Sequence, residues 1–126
     1  MLWGGVVCLF NAFALLCGLN QHLVFVMKLP AECENMVEIR TEIDALDREI
    51  IRLIGQRFGY VKAASKFKTS ETSVKAPERF KAMLVQRRTW AEEEGIHPDA
   101  IEKMYTDLVN YFIQEEMNHW KNEQTT

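Results

Sequence analysis

NMVEIRTEIDALDREIIRLIGQRFGYVKAASKFK, residues 35–68, is the stretch on which the fold turns. Asn35 is a good N-cap, and Glu38 follows three residues later, as in a capping box. Ile39, Ile43, Leu46, Ile50, Leu53 and Ile54 recur at steps of three and four, so one stripe of a helix is apolar. Arg57, Val61, Ala64 and Lys68 continue the same rhythm, and the spacing predicts a helix running to about Phe67. Gly55 and Gly59 interrupt it, each costing about 1 kcal/mol relative to alanine in an exposed helix interior. Close packing of a partner backbone is the expected compensation.

Outward from this helix, TSETSVKA (69–76) reads as a polar, mobile loop. A second helix starts at Pro77 and continues through Phe80, Met83, Leu84, Arg87, Trp90 and Ala91 to Gly95, a natural C-cap. A third starts near Pro98, with Ile101, Met104, Tyr105, Leu108, Val109, Phe112, Ile113, Met117 and Trp120 on its apolar face. No alternating run resembles a strand, so the expected class is all-α, a three-helix chain with a long first helix. About 30 residues of helix extend about 45 Å. Two shorter helices cannot cover all of its stripe, so a second copy, in a homodimer, is expected to complete the core.

Charge is unevenly placed. Residues 1–26 contain no Asp, Glu, Lys or Arg, so all 15 basic and 18 acidic residues fall from Lys28 onward. The apolar leader, 1–26, is read as an upstream extension outside the fold, with Met27 as the usual start and 27–126 as the folded domain. A secretory signal lacks its positive n-region here, and a membrane anchor would be interrupted by Asn11, Asn20, Gln21 and His22. A cytoplasmic location is expected, with export or membrane anchoring as the alternatives if the leader is retained. The net charge of −3 gives no polyelectrolyte case for nucleic acid. Cys8, Cys17 and Cys33 form no CxxC or Cys/His cluster, so neither a disulfide framework nor a zinc site is suggested. Phosphate-loop, GxSxG and HExxH motifs are absent as well. No metal and no cofactor are expected.

Arg57 and Lys68 fall on one helical face about three turns apart, with Val61 and Ala64 between them. On spacing alone a solvated edge with snorkelling side chains explains that pair better than a binding site. Glu116 continues the face of Val109 and Ile113, and by spacing a boundary glutamate is the simpler explanation. Trp90 and Trp120 read as packing anchors rather than ligand contacts, and His119 as a solvated terminal residue. For the glutamates at 92–94 the sequence suggests no function.

More specific are IRTEID (39–44), RFGYVKAASKFK (57–68), APERF (76–80) and WAEEEG (90–95). Together they resemble the all-helical chorismate mutase family, in particular its salicylate-forming branch, the isochorismate pyruvate lyases, over about 100 residues without gaps. The resemblance implies an intertwined dimer of three-helix chains with two equivalent pockets. It implies cations for the two carboxylates of isochorismate or chorismate: Arg57 and Lys68 from one chain, Arg40 from its partner, and Arg79 nearby. Val61, Ala64, Met83, Val109 and Ile113 would form the apolar wall against the ring. Lys68, at the start of the loop, would close over bound substrate. Isochorismate would lose pyruvate by an intramolecular hydrogen transfer, and chorismate would rearrange to prephenate. Both are pericyclic tasks of positioning and charge stabilisation. Arginine suits bidentate carboxylate binding, and lysine suits a point charge at the ether oxygen.

One position departs from the lyase pattern, where the residue matching Glu116 is normally glutamine. An ionised carboxylate there would repel a dianion, so Glu116 is expected to act protonated, with a rate that rises towards acid pH. Some mutases of this fold carry glutamate at this position, which keeps chorismate mutase as the alternative activity. A non-catalytic dimeric helical module is the alternative of another class. Arg40, Arg57, Lys68 and Arg79 together argue against it, since a scaffold has no need of convergent cations.

Overall fold

The computed structural model describes residues 27–125, and the expectations for the leader, 1–26, lie outside them. The order of elements is a 3-10 turn at Pro30–Glu32, helix α1 at Met36–Ala64, a 3-10 turn at Ser65–Phe67, short helix α2 at Glu71–Lys75, α3 at Pro77–Glu93 and α4 at Pro98–Gln124. Among the described residues there is no strand, and no helix is long and apolar enough to cross a membrane. The fold is all-α with a long first helix, as the periodicity predicts.

Contacts divide the chain into two units, with the boundary after Ile43. In the first, the entry to α1 is fixed locally. The Asn35 side chain accepts the Glu38 amide at 3.0 Å, and Glu38 Oε2 accepts the Glu34 amide at 2.8 Å and an ion pair from Lys28 at 2.7 Å. The capping expected of Asn35 is therefore present, with the return bond made one residue earlier than in a strict capping box.

In the second unit α4 is the centre. It packs against α3, against α2 and against the Ser65–Phe67 turn. The apolar residues removed from water are Val74, Met83, Ala91, Val109, Phe112 and Met117. Phe58 of α1 stacks on Phe112 at 5.1 Å between ring centres. The α3–α4 connection turns at Gly95, which takes a left-handed φ of 72°, the conformation glycine adopts without steric cost. Arg88 ties the end of α3 to the start of α4 through Asp99, at 2.6 Å, and Glu102.

Helix α1 behaves differently. Its 29 residues extend about 43 Å, and none of them is buried. Ile43, Leu46, Ile50, Ile51 and Leu53 are 45–62% exposed. Among the described residues, the helix's own backbone aside, nothing lies within 4 Å of where a Cβ on Gly55 or Gly59 would sit.

The stretch 69–76 departs from the expected polar loop. Residues 71–75 form a helical turn, capped by Ser70, whose side chain accepts the Ser73 amide at 3.1 Å. Val74 within it is 2% exposed. Its single apolar side chain gave no periodicity to read, yet it anchors the segment on α4. Val74→Ala is expected to destabilise the protein by about 2 kcal/mol in denaturant unfolding. A change below about 0.5 kcal/mol is what a mobile surface loop would give.

Candidate functional site

The site is built from the C-terminal third of α1, the turn after it, the middle of α3 and one face of α4. Val109, Phe112 and Glu116 recur at steps of three and four, so the packing that buries Val109 and Phe112 also buries Glu116, which is 6% exposed. Burial raises its pKa, and the Lys68 ammonium, 3.8 Å from Oε1, acts in the opposite direction. No hydrogen bond satisfies that buried Oε1.

Lys68 follows the Ser65–Phe67 turn, where the chain leaves helical geometry and becomes extended. Its ammonium donates to the Ser73 carbonyl at 2.8 Å while facing Glu116. Arg57 is half-buried on α1. Its guanidinium sits 5.1 Å over the Phe112 ring, and Nη2 lies 3.9 Å from Met83 Sδ. Burial lowers the Arg57 pKa, Tyr105 opposes that, and the neighbouring positive charges of Arg87 and Arg79 add to it. Arginine nonetheless stays cationic. Arg57 Nη1 and Arg87 Nε are both buried without a hydrogen-bond partner.

The structure brings Lys68 to Glu116, and Arg57 to Phe112 and Met83, with Phe112 one turn before Glu116 on α4. Val61, Ala64 and Ile113 are half-buried. Arg79 is exposed and is close enough to Arg57 to act on its charge. Arg40 lies on the exposed side of α1 in the N-terminal unit.

Sequence reasoning missed two residues. Arg87 stands one turn after Met83 on the apolar side of α3, and an arginine in that register was a readable signal. Its guanidinium lies 4.4 Å over Trp90 and 5.6 Å over Tyr105. Trp120 is more than a packing anchor, because its indole Nε1 donates to the Lys68 carbonyl at 3.0 Å. Spacing cannot show a bond across 52 residues.

Chemically, the site offers cations with unfilled donors beside an apolar wall and one buried carboxyl. A rigid, partly apolar polyanion matches it: the donors would meet carboxylates, and the wall a ring. The chain belongs to the chorismate mutase type II family, whose model matches residues 39–117. It is 41% identical over 95 residues to the isochorismate pyruvate lyase of Pseudomonas aeruginosa, covering 75% of this chain and 94% of that protein. It is also 41% identical over 83 residues to the T-protein of Haemophilus influenzae, covering 65% of this chain and 21% of that one.

The state of Glu116 can be read from stability. Because its folded pKa is raised, the fold favours the protonated form. Stability from this group is full below the ordinary glutamate range and is lost as pH rises through the raised folded value. Glu116→Gln has no proton to lose. As pH rises above the ordinary glutamate range, the wild-type unfolding midpoint is expected to fall relative to that of Glu116→Gln. Parallel midpoints would place an unshifted carboxylate at this position.

Proposed function

We propose that this protein is an isochorismate pyruvate lyase, releasing salicylate and pyruvate from isochorismate without metal or cofactor, and that it also converts some chorismate to prephenate. What supports the reading is Lys68 facing buried Glu116 at 3.8 Å and Arg57 over Phe112, one turn away on α4, with buried guanidinium donors left unfilled. The similarity to the Pseudomonas lyase over nearly all of that protein's length supports it.

In this reaction the ether bond between ring and enolpyruvyl oxygen breaks, and a ring hydrogen passes to the enolpyruvyl methylene carbon. That carbon becomes the methyl of pyruvate, and the ring becomes aromatic. No group outside the substrate has to accept an atom, so the protein's task is to fold the side chain over the ring and stabilise charge on the departing oxygen. Arg57 binds a carboxylate, with Arg79 at the exposed side. Lys68 places its ammonium at the ether oxygen. Protonated Glu116 donates a hydrogen bond there, whereas ionised Glu116 would repel the dianion. Val61, Ala64, Met83, Val109 and Ile113 hold the ring. Chorismate mutase is the second reading, and it is the glutamate at 116, in place of the glutamine of the lyase pattern, that favours it.

The working form is a homodimer in which Arg40 of one chain completes the pocket of the other. The wholly unburied α1, with its exposed Ile43, Leu46, Ile50 and Leu53, supports this. A second copy would bury that stripe and bring a backbone to Gly55 and Gly59. The highly charged surface of 27–126 and a charged small-molecule substrate suit action in the cytoplasm, and salicylate metabolism, including siderophore assembly, is a consumer suited to the product.

Lys68→Ala and Arg57→Ala are each expected to lower kcat on isochorismate by about 10²- to 10³-fold while leaving helical content unchanged. Loss of helical signal in either would mean a structural role instead. Mixing Arg40→Ala with Arg57→Ala chains is expected to restore part of the activity, because one kind of mixed pocket carries neither substitution. Absence of rescue after verified subunit exchange would mean pockets built within one chain.

A further inference from the structure

The C-terminal part of α4 presents Glu116, Trp120 and Glu123 at steps of four and three, on one side of the helix. Each of the three meets the stretch that carries Lys68. Glu116 Oε1 faces the ammonium at 3.8 Å, Trp120 Nε1 donates to the Lys68 carbonyl at 3.0 Å, and Glu123 Oε2 lies 3.2 Å from the hydroxyl of Ser65, which is itself 1% exposed. The amide of Lys68 donates to the Ser65 carbonyl at 3.0 Å. Both backbone polar groups of Lys68 are thereby held, and its side chain starts from a fixed root.

The position of that root matters. Lys68 has left the helix, and its side chain is long, with many rotamers. Nothing regular in its own backbone aims the ammonium. The Ser73 carbonyl holds the ammonium at 2.8 Å, and the bond from Trp120 fixes the backbone from which the side chain reaches, with Trp120 and Glu116 one turn apart on the same rigid helix. One helix thus sets both the carbonyl end of Lys68 and the carboxyl that its ammonium faces. We propose that Trp120 is a positioning residue, whose indole N–H fixes the Lys68 backbone so that the ammonium is delivered to the reacting ether oxygen. This rests on the role given to Lys68 above.

The test uses the full chain with Trp120→Phe, which keeps an aromatic ring and removes the N–H. A second variant places 3-benzothienyl-alanine at 120, which keeps the two-ring shape and also lacks the N–H. Both are expected to lower kcat on isochorismate about five- to tenfold with KM within about twofold, the loss of one hydrogen bond expressed in the transition state. In a Lys68→Ala background the same changes are expected to cost less than about twofold in the residual rate, since the residue through which Trp120 acts is gone. An equal fold-loss in both backgrounds would overturn the proposal, because a purely structural residue lowers the rate whatever stands at 68. A wild-type rate with benzothienyl-alanine would overturn it too, by showing that ring shape suffices. Amide hydrogen exchange over residues 68–76 is measured on the same proteins and does not depend on turnover. Faster exchange in both variants is expected, and unchanged exchange would remove the tether. If exchange rises but wild type turns over neither isochorismate nor chorismate, the tether stands and the assigned activity fails.

Discussion

Val109, Phe112, Glu116, Trp120 and Glu123 line one side of α4 because they recur at steps of three and four, and most of what the chain can do chemically hangs on that side. Its first part meets α1 through Phe58 and Arg57 on the Phe112 ring. Its last part holds the segment that leaves α1, through the Lys68 carbonyl and Ser65. A rigid helix thus fixes the spacing between the cations of two separate stretches. Such spacing is the main requirement for a reaction that needs positioning more than a nucleophile.

Burying charge is costly unless it is paired. Arg87 sits close enough to disfavour the charge on Arg57, and each of the two keeps a buried donor without a partner. The buried carboxyl at 116 faces Lys68 at 3.8 Å, outside hydrogen-bond range. The unfilled arginine donors are costs the free protein bears and a polyanion would relieve, whereas the carboxyl at 116 suits a polyanion only when protonated. Preorganised donors of this kind gain most where water is excluded, since they need no reorganisation as charge develops. A protonated Glu116 fits the same logic, as a donor in place of a repelling charge.

Much of this was legible in the sequence. The steps of three and four from Ile39 to Lys68 give α1, and the same steps give α4, although for Glu116 spacing alone favours a boundary position and the packing instead buries it. The rest depends on contacts between distant residues. Val74 is one apolar residue in a polar run, so its burial could not be seen as periodicity, and the segment read as loop. Arg87 is a cation in an apolar register, but one charged residue within a helical pattern does not by itself mark a site. The Trp120 bond to Lys68 joins a side chain to a backbone carbonyl, and side-chain patterns carry no record of such pairings. The stripe of α1 is exposed as expected, but length is not the reason: α4, with 27 residues, is nearly as long as the 29-residue α1, and none of the α1 residues is buried.

The most direct test supplies isochorismate and chorismate separately to the purified protein and follows salicylate with pyruvate, and prephenate. The lyase reading predicts a higher kcat/KM for isochorismate, with salicylate and pyruvate released in equal amounts. Faster formation of prephenate from chorismate would contradict it and would make the glutamate at 116 the mark of a mutase.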